Sequence, residues 1–233
     1  MSRLTKPAHP VTAGTPVARR SPLGWIARWL WPGRSRLAGR RPRSAVTTGL
    51  VALRDGSTVL IRPVQSTDAA LLADGFARLS PRSRQMRFLG TKTTLSATEL
   101  RYLTEVDHHD HEAIAALSAD GRGVGIARYI RHACDPHAAE IAVTVVDDWQ
   151  GRGLGTELVA RLSGRASHEG IHRFTALVAE DNMAVARMLR KTSASLAGRG
   201  PGTVEYQIPL TPPGKSTTTL AAGLGQDRVR TPC

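Results

Sequence analysis

The chain has 233 residues and a formal charge of +13, enough for one domain of ordinary size with extensions. The charge is unevenly placed: residues 1–45 hold ten Lys and Arg and no acid, whereas residues 46–211 hold 19 basic and 18 acidic residues. A near-neutral centre excludes an account of its activity built on bulk positive charge. The only cysteines, Cys134 and Cys233, form neither a disulfide framework nor a CxxC metal pattern, which points to a reducing cytoplasm. No apolar run approaches the ~20 residues needed to span a bilayer, and the N-terminus lacks the apolar stretch of a signal peptide.

Residues 1–45 are rich in Pro, Gly, Ser and Arg and predict a mostly disordered arm. Within it, Ser21–Arg34 gathers Trp25, Ile26, Trp29, Leu30 and Trp31 among arginines. That composition suits a weak contact with a membrane surface or a partner. Arginines alone bind phosphate without specificity, and no recognised nucleic-acid module follows, so no specific nucleic acid is expected. Residues 212–233 predict a second disordered tail. The centre, 46–211, is the expected domain.

In that centre Val59–Ile61 reads as a strand ending at Pro63. Ser66 or Thr67 would cap a helix carrying Leu71, Leu72, Phe76 and Leu79. Pro81 starts a second helix ending at Gly90. Ser96 and Glu99 form a capping box for a third. Strands follow at Ala113–Leu117, Val124–Ile130 and Glu140–Val146, with a turn at Asp120–Gly123. A long helix from Gly153 to His168 repeats Leu154, Leu158 and Leu162 on one face. Phe174–Val178, Ala184–Arg190 and Val204–Ile208 read as strand, helix and strand. Without a strict βαβ rhythm, the class is α+β with a mixed central sheet.

The chemistry concentrates between the strand ending at Val146 and the long helix. There the chain reads Gln150-Gly151-Arg152-Gly153-Leu154-Gly155. Glycines let backbone approach a ligand at positive φ, and N–H groups at a helix N-terminus point at phosphate oxygens. Arg152 adds a cation. The dinucleotide fingerprint fails, because Thr156 and Leu158 stand where it needs glycine, and no Gly-Lys-Ser/Thr closes a P-loop.

QGRGLG resembles the pyrophosphate-binding motif of the GNAT superfamily of N-acetyltransferases, and Glu180-Asp181-Asn182 resembles that family's D-N step. The stretches LRDGSTVLIRPVQSTDAALL, RLSPRSRQMRFLG, TEVDHHDHEAIAAL and VGIARYIR are similar to bacterial GNAT domains of the Pat protein-lysine acetyltransferase type, so the resemblance covers about residues 50–210. It implies acetyl-CoA as co-substrate and no metal. Backbone of Gly151, Arg152, Gly153, Leu154 and Gly155 would hold the pyrophosphate after Gln150. Thr144, Val145 and Val146 would line the pantetheine gap between two splayed strands, with Asn182 on the cofactor side. Glu140, in the strand leading to the cradle, is the implied general base for an amine acceptor, a lysine of a protein or else a small amine. Such domains often adjoin a nucleotide-sensing domain, for which 233 residues leave no room.

Two features depart from the family. Leu189 stands where many members have a tyrosine serving as general acid, and Thr192-Ser193-Ala194-Ser195 replaces the usual Gly-Phe. An intact cradle without that tyrosine also fits a non-catalytic acyl-CoA-binding regulatory module. His108-His109-Asp110-His111 lacks HExxH spacing and reads as a loop rather than a metal site, with His111 or Glu112 as an auxiliary base near the acceptor. Arg82, Arg84 and Arg87 are expected to form a basic helical face, and Trp149 to pack.

Overall fold

The computed structural model describes residues 48–210. The expected arm and tail, including the Ser21–Arg34 contact, lie outside the described residues. Eight strands form one sheet in the order β1-β2-β3-β4-β5-β6-β8-β7. They are β1 (Gly49–Ala52), β2 (Thr58–Pro63), β3 (His111–Leu117), β4 (Gly123–His132), β5 (Asp135–Val145), β6 (Arg173–Ala179), β7 (Ser195–Gly200) and β8 (Thr203–Pro209). Five α-helices flank it: α1 (Ala69–Ala77), α2 (Pro81–Phe88), α3 (Ala97–Thr104), α4 (Leu154–His168) and α5 (Met183–Leu189). All neighbours pair antiparallel except β5 and β6. The α+β class with a mixed sheet is therefore the observed one.

Side-chain alternation assigns the two faces. On β3, Ile114 and Ala116 join the main core with Leu154, Leu158 and Leu162 of α4. Ala113, Ala115 and Leu117 join a second cluster with Leu71 of α1 on the opposite face. Both faces of β3 are covered, which is why HEAIAAL carries no polar alternation after Glu112. The three leucines of α4 are fully buried, each contributing roughly 1.5–3 kcal/mol. Gly125 lets α4 come this close: a Cβ there would stand 3.1 Å from Leu158 and 3.2 Å from Leu154.

Local signals explain most boundaries. Ser80 caps α2 by accepting from Ser83 N at 3.1 Å, with Pro81 as the first helical residue. Ser96 and Glu99 make the expected capping box on α3. The start of α1 differs from expectation. Ser66–Asp68 is a 3₁₀ turn, and its box is made by Gln65 and Asp68. Asp68 also takes a bidentate pair from Arg62 at 2.6 and 2.8 Å, an interaction outside local pattern reading. Two strands were not expected: β1, four residues at the sheet edge, and β7, which occupies the Ser195 region and pairs with β8.

A buried ion pair ties α4 to β3. Glu112 is fully buried, and its carboxylate takes Arg165 Nε at 3.1 Å and His108 Nδ1 at 2.6 Å. Arg165 also reaches Glu169 and the carbonyl of His108. Removing Glu112 takes one of the two carboxylates that serve Arg165 and leaves His108 Nδ1 without its partner. Glu112→Ala is expected to lower the unfolding free energy by about 1.5–3 kcal/mol in urea titrations, because Glu169 still pairs with Arg165. Asp181→Ala, at an exposed pair with Arg82, should change it by less than about 1 kcal/mol.

Candidate active site

β5 and β6 are the only parallel neighbours, and they pair over three residues: Ala138 with Arg173, Ala139 with Phe174, and Glu140 with Thr175. Beyond Glu140 the strands part. β5 continues on β4 as far as Gly125–Val145, and β6 continues on β8 as far as Ala179–Thr203. A cleft therefore opens from Glu140 toward the glycine loop.

Hydrogen-bond alternation decides which backbone groups face that cleft. Val146 N–H donates to Val124 O at 3.0 Å, on the β4 side. Thr144, two residues back, shares that direction. Val145 points the other way, and its carbonyl accepts from Gln150 Nε2 at 3.0 Å. Of the three residues expected along the gap, only Val145 turns its main chain into it. Thr144 and Val146 instead line a cavity on the face covered by α1–α3.

After Val146 a 3₁₀ turn, Asp147–Trp149, leads into the loop. Gly151 has φ 77° and Gly153 φ 93°, left-handed values that suit glycine. Gly153 is the N-cap of α4, and the first bond into that helix runs from Glu157 N to Gly153 O at 3.1 Å. Among the described residues no backbone carbonyl accepts from the N–H groups of Gly153, Leu154, Gly155 or Thr156. Arg54 N holds the carbonyl of Arg152 at 3.1 Å. Because the peptide is trans and planar, Gly153 N–H points the opposite way. The loop thus offers consecutive donors at the positive end of a fifteen-residue helix.

The side chains of the loop do other work. Gln150 Nε2 also reaches Ser83 Oγ at 3.2 Å, bracing the loop on α2. Arg152 pairs with Asp55 at 2.9 Å, donates to Asp148 O at 2.6 Å and lies 4.8 Å over the Trp149 ring. Its charge is matched by Asp55. Arg54, which local reading missed, runs beside Gly153: its Nε would stand 3.2 Å from a Cβ there. Nothing in its local pattern marked it, because the β1–β2 turn meets the loop only in three dimensions. Leu154 is buried under the sheet.

Asn182 caps α5, its Oδ1 accepting from Val185 N at 3.1 Å. Leu189 is buried in the core and carries no proton. Glu140 is half-buried at the vertex of the cleft, and its charge acts on Arg87 of α2 and Tyr102 of α3. His111 and Glu112 are occupied. Arg128 Nη1 lies 3.1 Å from His111 Nε2. A guanidinium only donates, so that nitrogen is an acceptor and the ring is neutral. Burial first, and Arg128 second, push the His111 pKa down to about 3. Glu112 is consumed by Arg165 and His108. No group of His, Cys, Asp and Glu among the described residues is arranged to hold a metal. Arg82, Arg84 and Arg87 do not share one solvated face. Arg82 is exposed, Arg84 lies over the Phe76 ring and Arg87 turns inward to the cavity.

The sheet thus opens between two parallel strands, with a donor-rich helix N-terminus at the mouth and a half-buried carboxylate at the vertex. Residues 58–194 match the family model "Acetyltransferase (GNAT) domain", and the chain belongs to that family. It is 32% identical over 178 residues to acetyltransferase Pat of Mycolicibacterium smegmatis, covering 76% of this chain and 53% of that relative. It therefore spans about half of that protein. An acetyltransferase of Pseudomonas aeruginosa is 36% identical over 137 residues, covering 58% of this chain and 73% of the relative. The GNAT domain of S. lividans PAT superposes with a TM-score of 0.66 at 29% identity, covering 70% of this chain and 97% of that one.

A side chain at Gly153 would be strained at its φ and would press on Arg54. Gly153→Ala is expected to raise the Kd for coenzyme A at least tenfold in calorimetric titration, and to cost about 1–2 kcal/mol of stability.

Proposed function

We propose that residues 46–211 form an acetyl-CoA-dependent N-acetyltransferase that modifies lysine amines of proteins by direct transfer, with Glu140 as general base. The position of Glu140 carries this reading. It is the last residue paired across β5 and β6, between the loop on one side and the helical face on the other. A cytoplasmic setting suits the exposed thiol of Cys134.

The donor N–H groups of Gly153 to Thr156, with Arg54 beside them, suit the pyrophosphate of coenzyme A. The pantetheine arm fits the cleft along Val145, whose N–H is aimed to polarise a thioester carbonyl. A lysine amine is almost wholly protonated at neutral pH, its pKa being about 10.4. Glu140 takes a proton from it, directly or through one water. The amine nitrogen then attacks the carbonyl carbon, the C–N bond forms, and the C–S bond breaks. The nitrogen gives its second proton to solvent as the amide forms, Glu140 releases the first to solvent, and the departing thiolate takes a proton from solvent, since Leu189 offers none. Asn182 keeps α5 capped beside the cleft.

Glu140→Gln, assayed with acetyl-CoA and a lysine peptide array, should lower kcat/KM by about 10²–10⁴-fold while coenzyme-A binding persists. The residual rate should keep climbing toward pH 10 as free amine accumulates, whereas the wild-type profile levels off earlier. Undiminished turnover would remove Glu140 from the mechanism. Binding of acetyl-CoA without modification of any amine would favour a regulatory acyl-CoA-binding module.

A further inference from the structure

The face of the sheet opposite α4 holds a cavity of about 80 Å³. Its wall is mostly apolar, from Leu71, Phe76, Leu103 and Ile126, with Thr144 and Val146 at the β5 side. Two guanidiniums also line it, Arg128 from β4 and Arg87 from α2. Arg128 is only 3% exposed. Its partners are neutral: the carbonyl of Leu103 at 3.2 Å and His111 Nε2 at 3.1 Å.

Arginine cannot shed its proton to escape burial. A buried cation without an anion costs several kcal/mol, and here a second cation faces it. Burial and then Arg87 bring the Arg128 pKa down to about 9, still charged at neutral pH. Glu140 acts on Arg87, so the group of Arg87, Arg128 and Glu140 holds two positive charges against one negative. The excess sits on a side chain that no described carboxylate pairs.

We propose that this cavity is a carboxylate subsite: Arg128, with Arg87 opposite, receives the free carboxylate of a small co-substrate. The inference rests on the coenzyme-A reading of the glycine loop and extends the co-substrates beyond acetyl-CoA and protein lysine to ones that carry a carboxylate. The carboxylate belongs either to the acyl group, as the far end of a dicarboxylic thioester, or to the acceptor, as an amino acid. Both sources meet the same two guanidiniums. The cavity touches Thr144 and Val146, which flank the residue that opens into the cleft, so the two lie on either side of the same strand end.

Calorimetric titration of the full chain separates the sources. One arm compares succinyl-CoA with butyryl-CoA, and the other compares amino acids with their decarboxylated amines in the presence of coenzyme A. The carboxylate-bearing member of one pair is expected to bind at least about tenfold more tightly. Arg128→Met should close that gap while leaving affinity for coenzyme A unchanged, and the arm that shows the gap identifies the source. Arg87→Met should narrow it, which keeps the test decisive if Arg128→Met does not fold. Less than twofold discrimination in both wild-type arms, or a gap that survives both substitutions, overturns the subsite. Failure of coenzyme A itself to bind the wild type would instead remove the reading of the loop.

Discussion

Everything in the site depends on how little β5 and β6 share. Each strand is committed to an outer antiparallel partner, β5 to β4 and β6 to β8, along nearly its whole length. Between themselves they keep three residue pairs. An antiparallel sheet continued across this point would have satisfied every edge group internally. The parallel junction leaves the N–H of Val145 facing the cleft instead, while Gln150 takes its carbonyl. Unpaired strand edges recruit extended partners, and an amide-bearing pantetheine chain is one. The cleft results from competing pairings rather than from a loop held open.

The helix that joins these strands explains the rest of the arrangement. α4 crosses from the end of β5 to the start of β6 and buries Leu154, Leu158 and Leu162 against the sheet. Its first turn is thereby fixed at the mouth of the cleft, with Gly153 as a cap that supplies no side chain. The Glu112–Arg165 pair pins the far end of the same helix to β3. A helix anchored at both ends presents its N-terminal donors without reorganising, the condition under which fixed dipoles stabilise charge most.

Much of this was legible in order along the chain. The leucine spacing of α4, the Ser96–Glu99 box and the glycines at positive φ are local signals that read through to structure. The α+β class and the place of the glycine loop before α4 followed from them. What escaped was nonlocal. Arg54 and Asp55 lie about a hundred residues before the loop they contact, and no periodicity marks them. Arg152 brings a cation to the loop, but its partner Asp55 cannot be read from the loop's own sequence. Thr144 and Val146 were grouped with Val145, but strand alternation turns them to the other side, a consequence of register that composition cannot supply. β1 and β7 carry little pattern because β1 is an edge strand of only four residues and β7, SLAGRG, is poor in the residues that favour strands.

The two sides of the site are also joined mechanically, through α2. Asp147, at the exit of β5, accepts from Ser80 N at 2.9 Å, Ser80 Oγ at 2.6 Å and Ser83 Oγ at 2.8 Å. Burial raises the pKa of that carboxyl, but the bonds from Ser80 and Ser83 outweigh it and hold the value below the usual one. Ser83 in turn accepts from Gln150 of the loop. Arg87 stands four residues after Ser83, on the same face of the helix. One short helix therefore touches the loop with its first turn and the buried cavity with its second. The exit of β5, the glycine loop and the guanidinium beside Glu140 are therefore braced on one element, which fixes their relative positions without requiring a direct contact between loop and vertex.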